Sequence, residues 1–241
     1  MKDLALSWPI LSFLLVFLVQ LLGFELITPL IKPIVGSSSQ HIAFLFRIFI
    51  TLCIWSYLSA DWLEAFRLDV TSIPFSLVVI LVVYATLFFP WPIPPTQVAS
   101  SKVSLHILIS VWEEILMRGL FLTLLLKVYS DKTFSVILFV GGLFGILHFL
   151  NLLHGSTLKE VLPQVIWSCA LGIAFSVITF KSGSIVPAIL LHCGFNLIPA
   201  FWEGTPWLLK KTESHGFYGP AVIGLIFLPM MLLSLWKLAD R

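Results

Sequence analysis

The sequence predicts an all-α fold, a polytopic integral membrane bundle of about eight spanning helices. Three observations carry that reading. Of 241 residues, 59% are hydrophobic and only 11% charged, where an average soluble chain has about 25% charged residues. The apolar residues come in blocks of about 20, the length a helix needs to cross a bilayer. The blocks are parted by short stretches rich in Pro, Gly, Ser and charge, which are loop signals. A formal net charge of +2 with no basic run offers nothing to a nucleic-acid backbone. Cys53, Cys169 and Cys193 each lie singly in an apolar block. An odd, unpaired set of this kind reads as buried thiols rather than a disulfide framework or a metal site.

The elements follow in order. The first span runs from Trp8 to Ile31; no small-x-small cleavage site follows it, so it reads as an uncleaved helix rather than a signal peptide. Lys32 to Gln40, with Pro33, Gly36 and three serines, is a loop. The second span covers Ile42 to Leu58 and carries Arg47, expected to snorkel to the interface, as Glu25 is expected to lie at it. Asp61 to Ser72 is a charged connector, and the third span runs from Ile73 to Phe89. Pro90-Trp91-Pro92-Ile93-Pro94-Pro95 cannot be a continuous helix, since proline lacks the backbone donor. It divides residues 1–100 from a motif-bearing core at 101–203. The fourth span runs from Val103 to Leu126, the fifth from Phe134 to Leu153, the sixth from Val161 to Phe180 and the seventh from Ser184 to Trp202. Residues 204–241 hold a polar loop and a last span from Phe217 to Leu238. Lys and Arg are distributed slightly in favour of an inside N-terminus.

The fourth span contains the chain's main anomaly. Glu113, Glu114 and Arg118 lie within six residues of one another in an otherwise apolar helix. Each charge at bilayer depth costs at least ~2.5–3.5 kcal/mol, so the group requires a reason. Glu114 and Arg118 are i and i+4, on one face, where they can pair. Glu113 is rotated from Glu114 by about 100° and remains free for chemistry.

Three further polar residues sit where lipid would reject them: His148 in the fifth span, and His192 and Asn196 in the seventh. Phe144 shares a face with His148, and His192 shares one with Asn196, each pair being i, i+4. Taken singly, His148 reads equally well as a satisfied core histidine, and Glu114–Arg118 as a structural pair. His106, His154 and His215 fall near span ends or in loops and carry no site signal. At ~1.5 Å per residue, Glu113, His148, His192 and Asn196 all lie within roughly 8–15 Å of the same surface, so the four can meet in one cavity. Gly141 and Gly145 form a GxxxG on the fifth span, and Gly172 with Ser176 a small-residue pair on the sixth, which lets helices approach closely. Pro187 is placed to kink the seventh span.

Glu-Glu-x-x-x-Arg at 113–118, Phe-x-x-x-His at 144–148 and His-x-x-x-Asn at 192–196, in that order on successive apolar helices, resemble the CPBP or Abi family. These are the CAAX-protease-like intramembrane endopeptidases, with the Ras-converting enzyme as the best-known type. The resemblance covers about residues 105–200. It implies a protease acting on a membrane-associated protein or peptide within the lipid bilayer. Glu113, assisted by His148, would activate water; His192 and Asn196 would stabilise the oxyanion, worth about 3–4 kcal/mol per donor. The Glu114–Arg118 pair would fix the helix and the aim of Glu113, with Phe144 as a further supporting residue. No cofactor is required. The alternative is zinc on Glu113, His148 and His192, a His2Glu set, although the chain has no HExxH and Arg118 would bring a positive charge close to the cation. A non-proteolytic peptide-binding or self-immunity protein on the same scaffold, or a small-solute transporter, are the rival functions; no inverted repeat supports the transporter. Short loops suit a prokaryotic plasma membrane.

Overall fold

The computed structural model describes residues 7–59, 62–67 and 100–201. Among them all regular structure is helical. The expected third span, the Pro-rich stretch and the expected last span fall outside the described residues.

α1 (Pro9–Val35) opens with proline in its first turn, where the missing donor costs nothing. It runs on through Pro29 and Pro33, past the expected end at Ile31. Gly36 then takes φ +60°, and a short 3₁₀ turn, Gly36–Ser38, leads into α2 (Ser39–Leu58). Phe24 meets Phe44 with ring centroids 5.1 Å apart, and Gln20 bonds to Thr51 further along α2. Partners that recede along one helix as they advance along the other define an antiparallel hairpin. The outer face of α1 leaves Leu11, Leu15, Leu22, Leu26 and Leu30 more than half exposed. Such a leucine row suits hydrocarbon, and the run Pro9–Leu58, which holds both helices, is long and apolar enough to cross a membrane.

α3 (Ser100–Glu114) passes without a break into a π-helical segment, Ile115–Leu122, and a last short helix, α4 (Thr123–Val128). Every residue of the π segment is buried. Phe121 stacks on Phe13 of α1 at 3.7 Å. A Cβ on Gly119 would meet the Trp55 ring at 2.5–2.9 Å, so only glycine admits α2 this close.

α5 (Thr133–Leu147) changes to a 3₁₀ turn at His148–His154, which ends on Gly155 at φ +91°. α6 (Leu158–Ser182) starts in a capping box, with Thr157 and Glu160 bonding each other's backbone, the reciprocal arrangement that satisfies two free amides. Both Ser130–His154 and Leu158–Ser182 are long and apolar enough to span. α7 (Val186–Phe201) follows the turn at Gly183. Pro187 lies in the first turn of α7, so it initiates that helix instead of kinking it; the expected span simply began too early. The amide of Ile185 donates to the Ala65 carbonyl at 2.7 Å, tying the start of α7 to the connector turn Glu64–Phe66.

α5 and α6 cross with their backbones touching. A Cβ on Gly172 would meet the Gly141 carbonyl carbon and Cα at 3.1 Å, whereas one on Gly142 would find open space. The GxxxG expectation therefore holds for Gly141 and Gly145, with Gly142 off the contact. Gly172→Ala is expected to lower the thermal unfolding midpoint of the detergent-solubilised protein, at an overpacking cost of about 1–3 kcal/mol. Gly142→Ala should leave the midpoint unchanged or raise it, alanine being the better helix former by about 1 kcal/mol. Equal effects from the two would refute the close crossing.

Candidate active site

The site begins with a carboxylate that no water reaches. Glu114 and Arg118 are both fully buried, with Arg118 Nη1 donating to Glu114 Oε1 at 2.9 Å. The i, i+4 spacing brings them together as expected. A second partner comes from α7: His192 Nδ1 lies 2.7 Å from the same oxygen. Paired with arginine, Glu114 can only accept, so Nδ1 is the donor. Arg118 is held on its other side by α6, where Nη2 donates to the Gly172 carbonyl at 2.9 Å. Its guanidinium also lies over the Phe144 ring, 4.5 Å from the centroid, a favourable contact when desolvated. One ion pair thus joins α3, α5, α6 and α7.

Glu113 takes the complementary position. It is partly exposed and forms part of the wall of a cleft of about 500 Å³, as does His148. Its Oε2 lies 3.5 Å from His192 Nε2, so His192 stands between the two acids. His148 sits where α5 turns into 3₁₀ geometry. Its Nδ1 lies 3.0 Å from the Phe144 carbonyl and its Nε2 3.4 Å from Ser168 Oγ on α6. A carbonyl only accepts, so Nδ1 carries the proton and the Nε2 lone pair is left for a donor. Phe144 sets its ring edge-on to both histidines, at 5.2 Å from His148 and 5.7 Å from His192.

Of the four residues expected to share a cavity, Glu113 and His148 line this cleft, and His192 is buried directly behind Glu113. Asn196 lies one turn further along α7, where its amide donates to Ser110 Oγ at 2.9 Å. Both nitrogens of His192 face carboxylates, Nε2 toward Glu113 and Nδ1 toward Glu114. Among the described residues no three His, Cys, Asp or Glu side chains group as metal ligands.

Arg47 does not snorkel to the interface. It is 6% exposed and turns inward among Phe24, Trp112 and Phe44, with ring centroids 4.0, 4.5 and 5.2 Å from the guanidinium. The aromatic faces make a buried position cheaper than a bilayer-facing one. Glu25 and His154, assigned to the interface and to no role, line the same cleft, 4.0 Å apart. Gln20 was also missed. Its side chain takes Trp112 Nε1–H at 2.8 Å and donates to Thr51 at 2.9 Å, fixing the turn that ends at Glu113. The position of Gln20 within an apolar span was its only signal.

An acid and a histidine facing one cleft of an apolar helical bundle is an arrangement suited to activating water. Residues 95–198 match the family model described as Type II CAAX prenyl endopeptidase Rce1-like, so this segment is similar to that family. The match contains Glu113, Glu114, Arg118, Phe144, His148, His192 and Asn196, and leaves out α1 and α2. No curated protein and no solved structure matches the chain.

Arg118→Met would leave Glu114 charged and half-paired in the core, and is expected to cost about 3–5 kcal/mol of stability. Adding Glu114→Gln should restore much of the lost unfolding midpoint, because the stranded charge is gone. A double variant no more stable than Arg118→Met would show that the two residues are not energetically coupled.

Proposed function

We propose that the protein hydrolyses a peptide bond of a membrane-associated substrate, with Glu113 as general base, and that it does so without a metal. The single observation that supports this reading is the division between adjacent acids. Glu114 is fully buried and committed to Arg118 and His192, whereas Glu113 opens with His148 onto one cleft.

A water held between Glu113 and the lone pair of His148 Nε2 gives a proton to the Glu113 carboxylate. Its oxygen bonds to the scissile carbonyl carbon, and the carbonyl electrons move onto oxygen. The tetrahedral intermediate then expels the amine, which takes the proton from Glu113 as it leaves. Proton transfer by a positioned group of this kind contributes roughly 10²–10⁴-fold. His192 serves the oxyanion through Nε2–H. Because Nδ1–H is spent on Glu114, the ring must carry both protons when it does so. Asn196 exchanges its bond to Ser110 for one to the same oxygen. Each such donor is worth about 3–4 kcal/mol in transition-state stabilisation.

The family description points to prenylated protein C-termini as substrates, and the apolar cleft wall is compatible with them. The short turns at 130–132 and 155–157 suit a prokaryotic plasma membrane as host. Peptide binding without cleavage would return the assignment to a non-proteolytic scaffold.

Glu113→Gln is expected to abolish hydrolysis of a prenylated peptide, followed by mass spectrometry, while insertion and unfolding midpoint stay near wild type. Glu114→Gln should instead lower the folded yield, since it leaves Arg118 without its anion. Metal-depleted protein should retain its turnover, with elemental analysis finding well under one zinc per chain. A stoichiometric zinc, lost on chelation together with activity and restored with it, would make Glu113 and the histidines ligands and end the general-base assignment.

A further inference from the structure

The cleft contains a buried cation that hydrolysis does not use. Arg47 lines it together with Glu113 and His148, yet it comes from the N-terminal hairpin, outside the family match. The side chain is more than nine-tenths buried. Among the described residues it makes no ion pair. Within the described part of the chain it makes a single hydrogen bond, Nη2 to the Gln20 carbonyl at 3.2 Å, and its buried Nε–H has no partner there. A guanidinium has five donors in a rigid planar fork. Leaving the buried Nε–H of that fork unpartnered carries the full desolvation penalty of the group. The aromatic faces of Phe24, Phe44 and Trp112 offset part of the charge. They also hold the plane still, and they cannot accept its in-plane N–H groups.

We infer that Arg47 is the substrate-carboxylate site of this cleft, a specificity-determining residue that anchors an anionic end of the peptide while Glu113 delivers water to a bond nearby. The planar fork matches two carboxylate oxygens in a way it matches no neutral amide. Glu25 and Glu113 also line the cleft. Neither lies within ion-pair distance of Arg47, so its N–H groups are not bonded to them, although both carboxylates favour its charge from further away. Glu25 is half exposed and faces His154 at the rim, and Glu113 faces His192. The rest of the cleft wall is mostly apolar, including Leu21, Leu116 and Met117, with Gln40 and Asn151 as further polar groups. A carboxylate at the end of an apolar segment fits that combination. Two sources share this chemistry, the free C-terminus of the substrate and an acidic side chain within it. The inference rests on the endopeptidase reading only for its cleavage arm.

The test uses the full chain in detergent and one dansylated peptide with a prenylated cysteine followed by three residues, the architecture of a C-a-a-X terminus. The peptide is made in three forms: a free acid, a C-terminal amide, and an amide with an aspartate as its last residue. Wild type is expected to cleave the acid at least about tenfold more efficiently than the amide, the loss appearing mainly in KM. Arg47→Gln should bring the ratio of acid to amide cleavage within the variant to about one, whereas a merely structural defect lowers both peptides by the same factor and preserves the ratio; the unfolding midpoint shows that the variant is folded. Arg47→Lys, a point charge without the fork, should fall between. The aspartyl amide identifies the source: recovery to the acid's rate means any carboxylate suffices, and no recovery means the α-carboxylate is read. Binding of the same peptides to Glu113→Gln, with and without Arg47→Gln, repeats the comparison without turnover. Discrimination in binding with no cleavage by wild type would sink the protease reading and keep the Arg47 site. Equal treatment of acid and amide by wild type in binding, or equal loss on both from Arg47→Gln, would overturn the inference.

Discussion

The structure depends on one buried carboxylate. Glu114 is completely enclosed by protein, and its Oε1 receives both Arg118 and His192. A charge in such a place is tolerable only while its partners stay in position, and removing one leaves an uncompensated ion. The pair therefore acts as a rotational lock on α3. With Glu114 drawn inward, the preceding residue is turned by about 100°, toward the cleft. The acid that does no chemistry in the proposed reaction thus decides where the reacting acid points.

The lock works only because two helices touch. Arg118 reaches the Gly172 carbonyl at the crossing where α5 and α6 meet through Gly141 and Gly172. In hydrocarbon, helices gain nothing from hiding leucine from lipid, so small residues that allow backbone contact drive association. Here the same contact exposes a backbone acceptor to a buried cation. Ser176 shares that carbonyl, and the π-helical segment directly after Glu114 packs all its residues into the core. Widened turns of this type recur at functional sites. Here the widened segment carries the arginine.

The N-terminal hairpin supplies the other wall. Gln20 and Arg47 hold Trp112, the residue immediately before the acid pair, by a hydrogen bond and a cation–π contact. Phe13 on Phe121 and Trp55 on Gly119 fasten the hairpin to the π segment. The family-matched segment carries the residues proposed to break the bond, while the hairpin brings Arg47 to the same cleft. On the proposed reading, chains that share the matched segment but carry different hairpins would share chemistry and differ in what they accept.

Helix positions were legible from the sequence, because the ~20-residue apolar block is a strong signal and nothing but a helix satisfies an isolated backbone in lipid. The Glu114–Arg118 pair was legible too, since i, i+4 contacts are local. So was the GxxxG crossing, whose meaning needs no knowledge of the partner. Other features depended on distant residues meeting. Arg47 read as an interfacial residue because its distance from a span end is local information, whereas its aromatic cage comes from residues 24, 44 and 112. His154 and Gln20 were silent for the same reason. His192 was recognisable as a candidate, but not its place between two acids. The sequence by itself determined which described segments are apolar helices and which charges can pair within one helix. The tertiary structure alone decided which acid is buried, which faces the cleft and which cation waits there, since rotation and contact between helices are set by packing across the whole bundle.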